Sequence, residues 1–157
     1  GPPALDLARE AAVQACIREA IARGLVASAQ DVSGGGLAVA LAEAAMWSGL
    51  GATVRVGVAD SPAVELFGDS PSRVVVTATP RHAPALELLA RQHGLPVETI
   101  GVVGGDRLLI ELAGAGTTGA AEARGSRVAD ALEVPVADLR HAWDHGLPRA
   151  LGWEGIA

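Results

Sequence analysis

The segment Gln30-Asp31-Val32-Ser33-Gly34-Gly35-Gly36-Leu37 constrains the fold of this chain more than any other. It follows a short apolar run at 25–30 that predicts a strand. It precedes a run of small apolar residues at 36–48 that predicts a helix. Three consecutive glycines allow a sharp turn and positive φ angles. The segment therefore predicts a tight strand-to-helix connection, as found in layered α/β domains.

The same segment carries the first candidate functional residues. The free N–H groups and the dipole at a helix N-terminus favour a phosphate group, and Gly34, Gly35 and Gly36 would let the backbone approach it closely. Asp31 could ligate Mg²⁺ through oxygen while the backbone amides hold the phosphate, or it could cap the helix. Ser33 could likewise donate to the phosphate or serve as a cap.

A second candidate cluster is Asp69-Ser70-Pro71-Ser72-Arg73, at the entrance to a predicted strand. An arginine that follows two hydroxyl groups can hold an anion through two parallel hydrogen bonds, which adds Ser70, Ser72 and Arg73 to the candidate phosphate ligands. Alternatively, Arg73 could pair with Asp69 and stiffen the loop.

The remaining pattern predicts an α/β (α+β) fold, in which a mixed β-sheet is flanked by helices in layers. It lacks the G-x-G-x-x-G sequence and the regular parallel series of a Rossmann domain. Gly104-Gly105-Asp106 is typical of a hairpin turn, and 114–125 is expected to be a flexible loop. The predicted helices are 4–23, 36–48, 80–93, 126–132 and 136–151, with a short helix or turn at 63–67. The predicted strands are 25–30, 52–59, 73–79, 97–103 and 107–112.

Composition excludes several classes of function. The formal net charge of −6, the absence of lysine and an aromatic content of 3% argue against nucleic-acid binding. No apolar stretch is long enough to span a membrane. Cys16 is the single cysteine, so an internal disulfide is impossible, and its apolar helical context predicts a buried side chain. These features fit a cytoplasmic location, and 157 residues suffice for one domain, 1–157, with its own core.

Two further groups of residues could carry chemistry. His141 and His145 have the i,i+4 spacing that can support a metal on a helix. Since no third ligand lies nearby in sequence, two surface histidines are the better interpretation. Trp47, Trp143 and Trp153 are expected to anchor a core or an interface.

Four segments, taken in order, resemble one family of enzymes. Residues 29–43 (AQDVSGGGLAVALAE), 67–76 (FGDSPSRVVV), 100–108 (IGVVGGDRL) and the terminal helix with Leu139, Arg140, Trp143, Leu147 and Pro148 are similar to motifs of phosphoribosylformylglycinamidine synthase. The likeness covers nearly the whole chain. Three positions depart from the family pattern: Gln30 replaces a usual His, Gly34 a usual Asp, and Asp69 a usual Glu.

The resemblance implies a C-terminal AIR-synthase-related domain of the synthase large subunit, part of a longer chain. That enzyme amidates formylglycinamide ribonucleotide in purine biosynthesis, using glutamine-derived ammonia, ATP (released as ADP) and Mg²⁺. The implied partners are the upstream domains of the same chain and the glutaminase and small accessory subunits. Because the family's catalytic residues lie upstream, the fragment alone is predicted to be inactive. By analogy, Asp31, Ser33 and Gly34–Gly36 face phosphates at a domain interface, in either the active or an auxiliary nucleotide site.

Two alternatives remain open at this point. The chain could belong to another enzyme of the same superfamily, such as aminoimidazole ribonucleotide synthetase, selenophosphate synthetase, a hydrogenase maturation factor or thiamin-monophosphate kinase. It could also be a non-catalytic interface module in which the glycine turn is purely structural.

Overall fold

A computed structural model of the protein describes residues 5–59, 61–115 and 128–152. Helices and strands alternate in these ranges, as the sequence pattern predicts. The helices are α1 (Leu7–Ala22), α2 (Gly36–Ser48), α3 (Pro62–Phe67), α4 (Ala83–Gln92) and α5 (Val136–Ala150). The strands are β1 (Ser28–Asp31), β2 (Ala52–Val58), β3 (Val74–Thr77), β4 (Gly101–Val103), β5 (Arg107–Ala115) and β6 (Val128–Pro135).

The larger of the two sheets in the described residues is a four-stranded mixed sheet, in the order β4-β2-β5-β6. β2 runs parallel to β5 and antiparallel to β4, and β6 runs antiparallel to β5. Alternate side chains of β2 and β5 are buried against α2, because successive residues of a strand point to opposite faces. We call this cluster the sheet core: Val32, Leu37, Ala38, Ala40, Leu41, Val54, Val56, Val58, Leu66, Leu108, Ile110 and Leu112.

A two-stranded antiparallel sheet of β1 and β3 supports a second, smaller cluster. We call it the helical core, because its buried residues come from α1 and α4: Cys16, Ala20, Leu86, Leu89 and Ala90. α1 begins after Asp6, whose side chain accepts hydrogen bonds from two backbone N–H groups, and Gly24 follows its end with φ 65°. The predicted mixed sheet flanked by helices is confirmed, with two sheets instead of one.

The structure corrects one predicted helix. Residues 126–132 were expected to be helical, but Val128–Pro135 forms strand β6 and pairs with β5 from Arg107 to Ala113. The alanine, leucine and glutamate in this segment favour a helix locally. Pairing with an otherwise open edge of the sheet overrides that preference. The loop predicted at 114–125 lies mostly outside the described residues, and β5 continues to Ala115.

The hairpin predicted at Gly104-Gly105-Asp106 is also wrong. β4 and β5 are not partners, because β2 lies between them. The turn instead crosses the start of β2, where the Gly51 N–H donates to the Gly105 carbonyl and the Gly104 N–H donates to the Gly51 carbonyl, both at 2.8 Å. A side chain at Gly51 would bring Cβ to 2.1 Å from the carbonyl oxygen of Arg107, so the crossing requires glycine. The neighbouring strand is also shorter than predicted: Gly101–Val103 instead of 97–103.

Contacts between α2 and α5 attach the last helix to the sheet core. The Arg140 guanidinium donates to the Met46 carbonyl at 2.6 Å and lies 5.0 Å from the ring centroid of Trp47. Trp47 and Trp143 meet edge to face with ring centroids 6.2 Å apart. Both rings are more than half exposed, so they join two helices at the surface and do not fill the core. Trp153 lies outside the described residues.

No helix of the described residues is both long and apolar enough to cross a membrane.

Candidate functional site

A cleft of about 700 Å³ lies between α1, the end of β1 and the loop that leads into β3. It brings together the two candidate motifs, which are far apart in sequence. Its lining mixes apolar and charged side chains on the α1 side and is mainly polar where the two motifs meet. The lining residues are Leu5, Glu10, Val13, Gln14, Ile17, Arg18, Asp31, Val32, Ser33, Gly34, Asp69, Ser70, Pro71, Ser72, Arg73 and Val74.

Pairing between β1 and β3 explains why the two motifs meet. Asp31 is opposite Val74 in the antiparallel register, and the Val32 N–H donates to the Arg73 carbonyl at 2.9 Å. One motif follows β1 and the other precedes β3. Since antiparallel partners place the end of one strand beside the start of the other, both motifs lie at one end of this small sheet.

The turn into α2 is built from backbone alone. Gly35 is the N-cap residue with φ 94°, and the described residues provide no side-chain cap hydrogen bond there. The alternative in which Asp31 or Ser33 caps this helix is therefore wrong. Gly36 has φ 73° and is buried against the end of α3, where an added Cβ would lie 2.7 Å from the carbonyl oxygen of Leu66.

The three glycines thus occupy different environments. Gly34 lines the cleft, and an added Cβ there would meet no atom within 4 Å. A Cβ at Gly35 would approach Val39 to 2.6 Å. Gly35 and Gly36 do not line the cleft, and a contact of their amides with phosphate stays a prediction.

Arg73 lies in the cleft wall with its guanidinium unengaged. Within the described residues its side chain makes no hydrogen bond and no ion pair, and neither does that of Asp69. The alternative in which these two residues pair and stiffen the loop is therefore wrong. A half-buried guanidinium with five donors and no protein acceptor is suited to bind an anion.

Ser72 already has a hydrogen-bond partner. Its hydroxyl donates to Oε2 of Glu10 at 2.6 Å, and Nε2 of Gln14 donates to the other carboxylate oxygen at 2.8 Å. Both hydrogen bonds hold the pKa of Glu10 below its ordinary value, and the bond from Ser72 has the larger effect. Both bonds favour the ionised carboxylate, which places a negative charge on the α1 side of the cleft.

The contribution of α1 to the cleft was missed in the sequence. Glu10, Val13, Gln14 and Ile17 lie on one face of this helix and line the cleft. Their i,i+3, i,i+4 and i,i+7 spacing was the available signal. On another face of the same helix, the predicted burial of Cys16 is confirmed at 3% exposure. The pKa of the Cys16 thiol is raised mainly by burial and to a lesser extent by the charge of nearby Glu19.

The described residues contain no group of three or more His, Cys, Asp or Glu side chains able to hold a metal ion. A metal ion bound to Asp31 would therefore not find two further His, Cys, Asp or Glu ligands beside it among the described residues. His141 and His145 are exposed and stacked with ring centroids 4.3 Å apart, and Nδ1 of His145 donates to the His141 carbonyl. The interpretation as surface histidines is confirmed. Gln30, at a family histidine position, does not line the cleft and donates to Glu43 at 2.9 Å.

Sequence comparison defines the class of this domain. Residues 1–135 match the family described as "AIR synthase related protein, C-terminal domain", and the chain belongs to that family. Its relatives include the phosphoribosylformylglycinamidine synthase subunit PurL of Anaeromyxobacter sp. (strain Fw109-5), 41% identical over 160 residues. That match covers 96% of this chain and 18% of the relative. The PurL subunit of Thermomicrobium roseum is 44% identical over 150 residues, which cover 93% of this chain and 18% of the relative.

Comparison of structures agrees with the sequence. The structure of PurLQS from Thermotoga maritima superposes with a TM-score of 0.69 at 25% identity, covering 87% of this chain and 22% of that one. T. maritima PurL complexed with ATP gives a TM-score of 0.65 at 25% identity, with 82% and 21% covered. The resemblance drawn from the four motifs is confirmed. The chain spans less than a fifth of the length of these two PurL relatives.

Proposed function

We propose that this chain acts as the C-terminal domain of a phosphoribosylformylglycinamidine synthase large subunit and that its cleft binds nucleotide phosphates. One observation carries the proposal: the Asp31–Gly34 turn and the Ser70–Arg73 loop, which bear the family-like motifs, line a single cleft. The relatives are PurL subunits, and T. maritima PurL has been solved in complexes with FGAR, ATP, ADP and AMPPCP.

The charges in the cleft favour a metal–phosphate ligand over a bare anion. The lining contributes three carboxylates, from Glu10, Asp31 and Asp69, and two guanidinium groups, from Arg18 and Arg73. A bare phosphate would be repelled by the carboxylates. Mg²⁺ bound to a nucleotide neutralises part of that repulsion, and Asp31 supplies the hard oxygen ligand that Mg²⁺ prefers.

Four of the candidate residues that line the cleft have distinct parts in this proposal. Arg73 donates two parallel hydrogen bonds to phosphate oxygens. Ser33 and Ser70 donate from hydroxyl groups on either side, while Gly34 allows the ligand to approach the backbone. Mg²⁺, when bound, neutralises charge that develops on the transferred phosphoryl group. The cleft therefore orients phosphates and excludes water from one side of them.

The reaction proposed for the whole enzyme needs groups beyond this cleft. ATP transfers its terminal phosphoryl group to the amide oxygen of formylglycinamide ribonucleotide, which releases ADP. Ammonia then attacks the activated carbon, and phosphate leaves to give the amidine. The cleft offers phosphate-binding groups but no histidine in its lining. The upstream domains would supply the catalytic residues, the glutaminase subunit the ammonia, and the small subunit would complete the assembly, in keeping with the PurLQS neighbour.

A domain exchange tests this proposal. The matching region of the Anaeromyxobacter PurL subunit is replaced by this chain, and amidine formation is measured with FGAR, ATP, Mg²⁺ and ammonia. We expect turnover by the chimera and none by the isolated chain. Arg73→Ala should raise the KM for ATP roughly tenfold, because it removes a charge-assisted contact. Arg91→Ala on α4, outside the cleft, is the matched control and should change nothing.

Two results would contradict the proposal. One is turnover by the isolated chain. The other is a chimera of native mass and folded circular dichroism spectrum that nevertheless forms no amidine.

A further inference from the structure

The loop at the cleft contains an unusual backbone conformation. Among the described residues, Ser72 is the one non-glycine residue with positive φ, at 61°. The left-handed region brings the Cβ atom of an L-residue too close to the backbone, so such residues need support from their surroundings. Ser72 directly precedes Arg73, and its conformation therefore sets the direction in which the arginine leaves the loop.

The support comes from α1. Oε2 of Glu10 accepts the Ser72 hydroxyl at 2.6 Å, the short distance typical of a bond to an ionised carboxylate. Nε2 of Gln14, one turn further along the helix, braces the same carboxylate at 2.8 Å. The other side of the loop is fixed by the backbone bond from Val32 to the Arg73 carbonyl. The loop is thus held from both walls of the cleft.

We infer that Glu10 is a positioning residue, whose carboxylate holds Ser72 in the left-handed conformation and thereby fixes the entry of Arg73 into the cleft. Pre-ordering a ligand-binding side chain reduces the entropy lost when the ligand binds. Ser72 then acts through Arg73, because its hydroxyl proton is committed to Glu10. The part of this inference that concerns ligand binding rests on the proposed function.

Hydrogen exchange at residues 70–74 tests the loop directly, without any ligand. The 157-residue chain is compared with Glu10→Ala, Ser72→Gly and the double variant. We expect Glu10→Ala to speed exchange roughly fivefold, because the loop opens more often without its charge-assisted bond. In the Ser72→Gly background the same change should have no effect, since the hydroxyl is already gone and glycine adopts positive φ freely.

Two further variants keep the test decisive. Glu87→Ala, on α4 and outside the cleft, is the matched control and should leave exchange at 70–74 unchanged. If Glu10→Ala fails to fold, Glu10→Gln replaces it, because the amide keeps the size and one acceptor oxygen but loses the charge. About twofold faster exchange is then expected. Unchanged exchange in a folded Glu10 variant, or equal effects in both backgrounds, overturns the inference.

The KM for ATP of the chimeric synthase separates this inference from the proposed function. Glu10→Ala should raise this KM about fivefold and leave kcat unaltered, because it disorders a binding group and not a reacting one. If Arg73→Ala raises the KM and Glu10→Ala does not, the positioning role is overturned. If exchange quickens but neither variant changes the KM, the positioning of the loop stands and the phosphate-binding function is wrong.

Discussion

The sheet core and the helical core differ in size and in how each one borders the cleft. The sheet core contains twelve buried residues, which come from α2, α3, two central strands and the turn after β1, whereas the helical core contains five. The sheet core borders the cleft with backbone, through the turn at Val32–Gly34. None of the five helical-core residues lines the cleft; α1, which carries two of them, borders it with other side chains, including Glu10 and Ile17. One wall of the cleft is therefore a turn that joins the sheet core, and the other is the partly exposed face of α1.

The largest predicted effect is a loss of stability, which is compared between the two cores by one leucine substitution in each. Leu66, in the sheet core, is 2% exposed and Leu89, in the helical core, is 1% exposed. Leu66→Ala should lower the free energy of unfolding by about 4 kcal/mol and Leu89→Ala by about 2.5 kcal/mol, because the cost depends on how far the surroundings can collapse. Urea unfolding of both variants checks the order. Equal losses, or a larger loss for Leu89, would show that the helical core is packed as tightly as the sheet core.

The next effect concerns two glycines of one turn. Gly36→Ala forces a Cβ against the backbone of α3 at a left-handed position and should cost about 2–3 kcal/mol of unfolding free energy. Gly34→Ala, two residues earlier, meets open space and should change stability by less than about 1 kcal/mol. Thermal unfolding of the two variants provides the comparison. Comparable losses would mean that the turn is strained throughout and not only where it meets α3.

The smallest effect is a pH dependence that arises at Glu10. Because the pKa of this carboxyl is lowered in the folded state, its contribution to stability is complete above its ordinary value of 4.5 and is lost as the pH falls through the lowered pKa. The other charged groups that line the same cleft are those of Arg18, Asp31, Asp69 and Arg73. The melting temperatures of wild type and Glu10→Gln should differ by about 2 °C or less at pH 6 and converge as the pH falls through the lowered pKa of Glu10. A melting-temperature difference that grows towards low pH would contradict a lowered pKa at Glu10.

Local patterns predicted most elements of the fold but not their partners. α2 and α5 were located to within a residue, because their apolar spacing and flanking glycine, proline or acidic residues all agree. β6 was mistaken for a helix, because its composition favours a helix and its pairing with β5 is visible only in three dimensions. The supposed hairpin failed for the same reason: a short glycine turn does not reveal that β2 lies between the strands it joins.

The cleft was predicted from its loops but not from its helix. The turn after Asp31 and the loop around Arg73 were found because glycine, serine and arginine in those patterns have specific chemistry. That the two segments meet depends on the register of β1 and β3, which no local pattern encodes. Glu10 carried no signal of its own, since an exposed glutamate on a helix is ordinary until its partner is known.

The crossing of the Gly104-Gly105 turn over the start of β2 constrains the order in which the chain assembles. β4 and β5 are neighbours in sequence but cannot pair with each other, because β2, about fifty residues upstream of β5, occupies the gap between them. Closing so long a loop precedes any gain from pairing β5 with β2. We therefore expect slow formation of the four-stranded sheet, in which the β2-facing edge of β5 stays unpaired and exposed to proteases until β2 has docked.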